Sequence, residues 1–194
     1  MGGVTSVEPF AVQPTEIAGL LILTMKQITD QRGTVREAFR TSAFAEAGVP
    51  TGPWAQVNIT ETKQGVIRGL HGEDTIKLVA VAAGEAYGAY VDARPDSPTR
   101  GKVVTVRLLP GTQVLVPAGV CNGFQSVSPG DTQYVYCFTN EWVPGMAGVA
   151  VNPLDPALAI RWPLPVDVSD PAQLSAKDAA QPNLADLADL AESG

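Results

Sequence analysis

The 194-residue chain holds a single histidine, His71, and that scarcity removes several chemistries at once. A catalytic zinc site of three histidines cannot be assembled, nor can an iron centre of two histidines and a carboxylate. Cysteine is almost as rare. Cys121 and Cys137 are the only two; they are compatible with a disulfide but do not require one, and in a cytoplasmic chain of this size they read as small buried thiols. No apolar stretch approaches the ~18 residues that a membrane span needs. The segment "AGLLILTM" at 18–25 is too short for one and lacks the pattern of a signal peptide, so the expectation is a cytoplasmic protein with no membrane partner. Basic residues are also few: 13 Lys and Arg stand against 20 Asp and Glu, a net charge of −7. A general nucleic-acid binder needs a basic face to displace counterions, so nucleic acid is excluded as a partner. A small phosphorylated ligand held by a few arginines is not. The chain also lacks a G-x-S-x-G elbow, a P-loop and a dinucleotide G-x-G-x-x-G pattern.

What the chain does contain is turn residues, 19 glycines and 16 prolines, set at short intervals between strand-like runs. These runs are 20–28, 54–62, 77–83, 85–93, 102–109, 112–118 and 132–140. Several alternate in character and favour Val, Ile, Thr and Tyr, which suit a half-buried pleated surface. "PGTQ", "PAGVCNG" and "SPGD" read as turns. Many short strands at this spacing predict an all-β sandwich or barrel. Helix is scarce. The stretch 35–48 has the length and residue types for a short helix stopped by Gly48. Leu184, Leu187 and Leu190 give the tail over 183–194 the pattern of a short surface helix. Residues 1–15 read as a loose arm, leaving one domain over 16–182.

With metal clusters unavailable, a lone imidazole supports acid–base chemistry if a carboxylate orients it. A single histidine on a strand is more often a packed structural residue. The surroundings of His71 weigh the other way, because Arg68 and Lys77 flank it and could converge on an anionic ligand.

Ordered blocks along the chain sharpen this. They are "DQRGTVREAF" (30–39), "QVN" (56–58), "VIRGLH" (66–71), "KLVAVAAGEAY" (77–87), "VDARPDSPTRGK" (91–102), "VPAGVCNGF" (116–124), "YVYC" (134–137), "NPLDPALAIRWP" (152–163) and "SAKDAAQPNL" (175–184). Together, from about residue 20 to 180, the chain resembles the dTDP-4-dehydrorhamnose 3,5-epimerase family, metal-free enzymes with a cupin-like jelly-roll fold. The resemblance implies an isomerase that needs no cofactor and epimerises a nucleotide-linked 4-keto-6-deoxyhexose through an enolate. Inverting a carbon beside a ketone requires a base on one face, an acid on the other and a cation near the oxygen. By resemblance His71 is the base, Asp155 its orienting carboxylate through Nδ1–H, Lys77 the cation and Tyr136 the acid. Tyr134 lies on the same strand face, so spacing alone does not choose between the two phenols; Tyr136 is preferred by alignment back from Trp142. Arg32, Glu37, Gln56, Asn58 and Arg68 match positions that hold the nucleotide, diphosphate or sugar. Asp92 and Arg94 read as an internal brace. A homodimer is implied, with an N-terminal strand packed on the partner sheet.

Two departures stand out. Family members usually read A-H-G-F where this chain reads "CNGF", so Asn122 replaces a histidine near the substrate, and an amide cannot shuttle protons. The segment "HGEDTIK" is also shorter than usual, and its acidic residues Glu73 and Asp74 are expected to face away from a phosphate. Both keep two alternatives open: the same chemistry on another keto sugar, such as a GDP-heptose, or a sugar-nucleotide-binding module without turnover.

Overall fold

Alternating burial along the strands decides how this chain layers. In the computed structural model, which describes residues 3–187, fourteen strands are assigned. The first six are β1 (Ser6–Glu8), β2 (Ala11–Pro14), β3 (Leu21–Thr24), β4 (Lys26–Asp30), β5 (Gly33–Glu37) and β6 (Gln56–Thr62). The next four are β7 (Ile67–Glu73), β8 (Lys77–Ala83), β9 (Ala86–Asp92) and β10 (Val103–Leu108). The last four are β11 (Thr112–Val116), β12 (Val120–Ser126), β13 (Thr132–Phe138) and β14 (Gly148–Ala150). They form a six-stranded sheet ordered β2-β3-β11-β8-β13-β6, a five-stranded sheet ordered β10-β9-β12-β7-β14, and a small sheet ordered β1-β4-β5. From β7 to β13 the chain passes repeatedly between the two large sheets, as a jelly roll does. The all-β expectation holds.

Period-two side-chain direction sends neighbours to different cores. Val79 and Val81 of β8 point between the large sheets, where they meet Tyr90, Leu108, Val120 and Phe124. Leu78, one residue earlier, points outward against Leu23, Phe44 and Leu115. The outer face of the five-stranded sheet is covered by the segment carrying Val151 and Leu158, with Trp162, Leu184 and Leu187 packed alongside. Each fully buried Leu or Val contributes roughly 1.5–3 kcal/mol, so both sheets are held from both sides. Asp92 is fully buried and accepts hydrogen bonds from Arg94 Nε at 2.8 Å, Ser97 Oγ at 2.5 Å and Thr99 Oγ1 at 2.6 Å. Burial pushes its carboxyl up, but these donors outweigh burial and hold it far below the usual range. It is the brace expected of it.

Several boundaries differ from expectation. The run 20–28 is two strands, broken at Met25, whose N–H donates to Gly111 O at 2.8 Å. Residues 6–8 and 11–14 are strands rather than a loose arm, because β4 and β3 offer them open edges. The stretch 35–48 begins as strand, with Val35 paired to Ile28, and only α1 (Thr41–Glu46) is helical. Gly48 does end it, at φ +66° with Val49 N–H donating to Phe44 O. Only 117–119 of "PAGVCNG" turns; Val120 onward is β12. Residues 188–194, which include Leu190, lie outside the described residues.

One close approach sets the site. Between β7 and β12 the register shifts beside Asn122, and the strands nearly touch. A Cβ on Gly69, at φ +116°, would lie 2.5 Å from Gly123 Cα. Gly69→Ala is therefore expected to destabilise the fold by about 2–5 kcal/mol through strain and overpacking, read as a drop in the denaturant midpoint. Gly130→Ala, which meets nothing within 4 Å, is expected to be neutral.

Candidate active site

The gap between the large sheets widens into a cavity of about 430 Å³. Arg68, His71 and Glu73 reach it from β7, and Asn122 and Phe124 from β12. Lys77 comes from β8, with Tyr134, Tyr136 and Phe138 from β13 and Thr60 from β6. The segment after residue 170 closes one side, bringing Gln173, Ser175 and Asp178.

His71 Nε2 lies 2.7 Å from Asp178 Oδ1. Asp178 sits in α2 (Ala176–Ala179), whose first turn is capped by Ser175 Oγ accepting from Asp178 N–H at 3.1 Å. The segment is tied to the sheet by Ile67 N–H donating to Gln173 O at 2.8 Å. Burial pushes the Asp178 carboxyl up, but hydrogen bonding to His71 and the capping contacts prevail and hold it below the usual carboxylate value. With Nε2 engaged, Nδ1 makes no hydrogen bond among the described residues and is left for chemistry.

This corrects the expected pairing of His71 with Asp155. Asp155 is a turn residue: Oδ1 accepts from Ala157 N–H and Oδ2 from Leu184 N–H, each at 2.9 Å. It caps the 3₁₀ turn Pro156–Leu158, whose Leu158 packs on the outer face of the five-stranded sheet, and Asp155 is not part of the cavity wall. Asp-Pro is a common turn former, and that local role is the one it fills. The orienting nitrogen is likewise Nε2, not Nδ1. A signal for Asp178 was present, since Ser-x-x-Asp at 175–178 is a helix-start pattern.

Lys77 is 3% exposed and donates to His71 O at 2.9 Å and to Glu73 Oε2 at 2.6 Å. Glu73 therefore faces in, contrary to expectation. It shares a strand face with His71, whereas Asp74 is exposed. Tyr134 is 2% exposed, its ring stacked on Phe124 at 3.9 Å, and burial pushes its phenol well up. Tyr136 is only half-buried and packs edge-on against Phe138 at 5.3 Å. His71 and Tyr136 thus enter one cavity from opposite sheets. Asn122 is the direct strand partner of His71.

The family model described as dTDP-4-dehydrorhamnose 3,5-epimerase matches residues 14–186. The chain belongs to the dTDP-4-dehydrorhamnose 3,5-epimerase family. The family's Salmonella typhimurium dTDP-4-dehydrorhamnose 3,5-epimerase is 37% identical over 176 residues, 88% of this chain and 93% of that one. A Legionella pneumophila dTDP-6-deoxy-D-glucose-3,5-epimerase, solved in complex with dTDP-4-keto-L-rhamnose, superposes with a TM-score of 0.81. It is 35% identical and covers 91% of this chain and 94% of its own. NovW, a 4-keto-6-deoxy sugar epimerase from Streptomyces spheroides, has a TM-score of 0.86 at 30% identity, covering 98% and 96%. The cupin-like jelly roll and the isomerase class follow from these.

The remaining candidates divide. Arg68 lines the cavity, with Nε donating to Thr62 Oγ1 at 3.0 Å. Gln56 and Asn58 share the inner face of β6 with Thr60 but are not part of the cavity wall; Gln56 Nε2 donates to Asn58 Oδ1 at 3.2 Å, and Gln56 Oε1 accepts from Trp142 N–H at 2.7 Å. Arg32 and Glu37 are not part of the cavity wall. They lie on the β4–β5 hairpin, Arg32 paired with Asp30 at 2.6 Å and Glu37 with Arg40, because that hairpin belongs to the separate small sheet. Neither cysteine is bonded to the other; Cys121 is buried, its thiol pushed up to about 12 by burial.

Asp178 is held ionised more readily in the fold than in the unfolded chain, so its stabilising effect is present above the ordinary carboxylate pKa and lost as pH falls through the lower folded value. Asp178→Asn is expected to unfold more easily than the parent at pH 7. The gap should shrink below about pH 4, as read by thermal melts across pH.

Proposed function

We propose that this chain is a cofactor-independent epimerase that inverts C3, C5 or both of a nucleotide-linked 4-keto-6-deoxyhexose, in deoxysugar biosynthesis. The observation that carries the reading is His71, which lines one cavity with Lys77, is held at Nε2 by Asp178 and makes no hydrogen bond at Nδ1 among the described residues. A C–H beside the ketone is acidic because its electron pair delocalises onto oxygen. His71 Nδ1 takes that proton, Asp178 stabilises the imidazolium, and the Lys77 ammonium meets the developing enolate oxygen. Tyr136, on the opposite sheet, gives its phenolic proton to the other face of the carbon. Solvent then reprotonates the phenolate and takes the proton from His71, restoring the site. Arg68, Gln56 and Asn58 hold the sugar nucleotide.

The enzyme acts as a homodimer. Val7, Ile28 and Val35 stand cross-strand in one row on the small sheet and are 57%, 36% and 69% exposed. Val57 and Ile59, on the outer side of edge strand β6, are 56% and 65% exposed. Pairing two copies buries such rows and would bring Arg32 and Glu37 to the partner's cavity. Its charged substrate does not cross membranes unaided, so enzyme and substrate share the cytoplasm. Asn122 opposite His71 favours one second reading, the same proton transfer on a different nucleotide-linked keto sugar.

Incubating dTDP-4-keto-6-deoxyglucose with the protein in D2O is expected to erase the proton signal at C3, C5 or both. His71→Asn should slow this exchange by about 10²–10⁴-fold; undiminished exchange would return His71 to a structural role. Tyr136→Phe should retain proton abstraction and lose inversion. If Tyr134→Phe is the damaging change, the acid is Tyr134. No exchange with this or other nucleotide-linked keto sugars, alongside tight binding, would leave a binding module without turnover.

Val35→Glu is expected to give a monomer by light scattering with reduced turnover, while an unchanged mass would move the interface elsewhere.

A further inference from the structure

Lys77 occupies a position where a charge is costly. It lies on β8 between β11 and β13, its side chain is 4% exposed, and its ammonium crosses to β7 in the facing sheet. An ammonium has three N–H donors. Two are accounted for, on His71 O at 2.9 Å and Glu73 Oε2 at 2.6 Å, which leaves one for the cavity. Burial lowers the Lys77 pKa and Glu73 raises it again, with burial ahead. Glu73 is pushed up by burial, but Lys77 prevails and holds it ionised below the usual range.

The other titratable groups near this ammonium do not replace Glu73. Cys121, from β12, is a thiol pushed up to about 12 and stays neutral near physiological pH. Asp178, from α2, is engaged by His71. Tyr134 and Tyr136, from β13, are phenols. Among the described residues, Glu73 is the one carboxylate in contact with Lys77.

We propose that Glu73 is a positioning residue that keeps the Lys77 ammonium charged and directs its remaining N–H into the cavity. One strand thereby carries the base, through His71, and the countercharge of the electrophile, through Glu73. The His71 carbonyl ties both to Lys77. The arrangement trades some electrophilic strength for persistence, since a buried ammonium stripped of its partner loses its proton. The ion pair stands by itself; its catalytic meaning rests on the epimerase reading.

The test separates the two. In protein labelled with 13C at lysine Cε, only five lysines report, and Lys77→Arg assigns the signal of interest. In Glu73→Gln, Lys77 is expected to titrate at a lower pH than in the parent; an unchanged midpoint overturns the proposal. Should that variant not fold, Glu73→Met serves with the same two outcomes. The alkaline limb of solvent-deuterium exchange into the keto sugar should move down with the lysine. Each unit of movement removes about tenfold of the activity above the limb. A moved lysine with an unmoved limb overturns the catalytic role. Absence of exchange in the parent overturns the epimerase reading, and the lysine titration still decides the ion pair.

Discussion

An imidazole at the edge of a cavity has two equivalent-looking nitrogens and free rotation about its side-chain bonds, so it is a poorly aimed base. The 2.7 Å contact between His71 Nε2 and Asp178 removes that freedom. It fixes which nitrogen is occupied, turns the ring, and places a carboxylate where positive charge would appear. The same contact clamps the segment after residue 170 onto β7, reinforced by the backbone bond between Ile67 and Gln173. The orientation of the imidazole therefore depends on this hydrogen bond, and the wall of the cavity on it together with the backbone tie to β7.

The sheets supply the rest by being two. His71 and Glu73 stand on one sheet, Lys77 and Tyr136 on the other, and the cavity is the gap between them. On the proposed reading, an acid and a base must stand on opposite faces of the sugar, and two facing sheets supply such an arrangement. Burial then differentiates otherwise similar groups. Tyr134 is sealed against Phe124 while Tyr136, two residues on, stays at the accessible wall. Lys77 is buried and paired, where Arg68 is exposed.

Much of this was legible in the sequence. Period-two alternation and Gly/Pro spacing gave the all-β class, and β8, β9, β10 and β13 fall within a residue or two of their predicted limits. The errors have local causes. The helix expected over 35–48 begins as strand because the edge of β4 takes up Val35. β12 hides inside a turn-like "PAGVCNG" because its glycine, Gly123, is there for close approach to β7 and not for a turn. At the site, His71, Lys77, Arg68 and Asn122 reach the cavity as expected. Asp155 was misplaced because two Asp-containing blocks follow β14, and only three-dimensional closure decides which returns to His71. Glu73 faces inward, contrary to expectation, because strand alternation places it on the same face as His71.

The most direct test of the His71–Asp178 interaction uses the fact that this chain has one imidazole. In protein labelled with 15N at histidine, the two ring nitrogens give unambiguous signals in the free enzyme. The neutral ring is expected as the Nε2–H tautomer, with that proton hydrogen-bonded and Nδ1 unprotonated, and the preference should be lost in Asp178→Asn. A ring protonated at Nδ1, or a tautomer unaffected by removing Asp178, would contradict this account of the base.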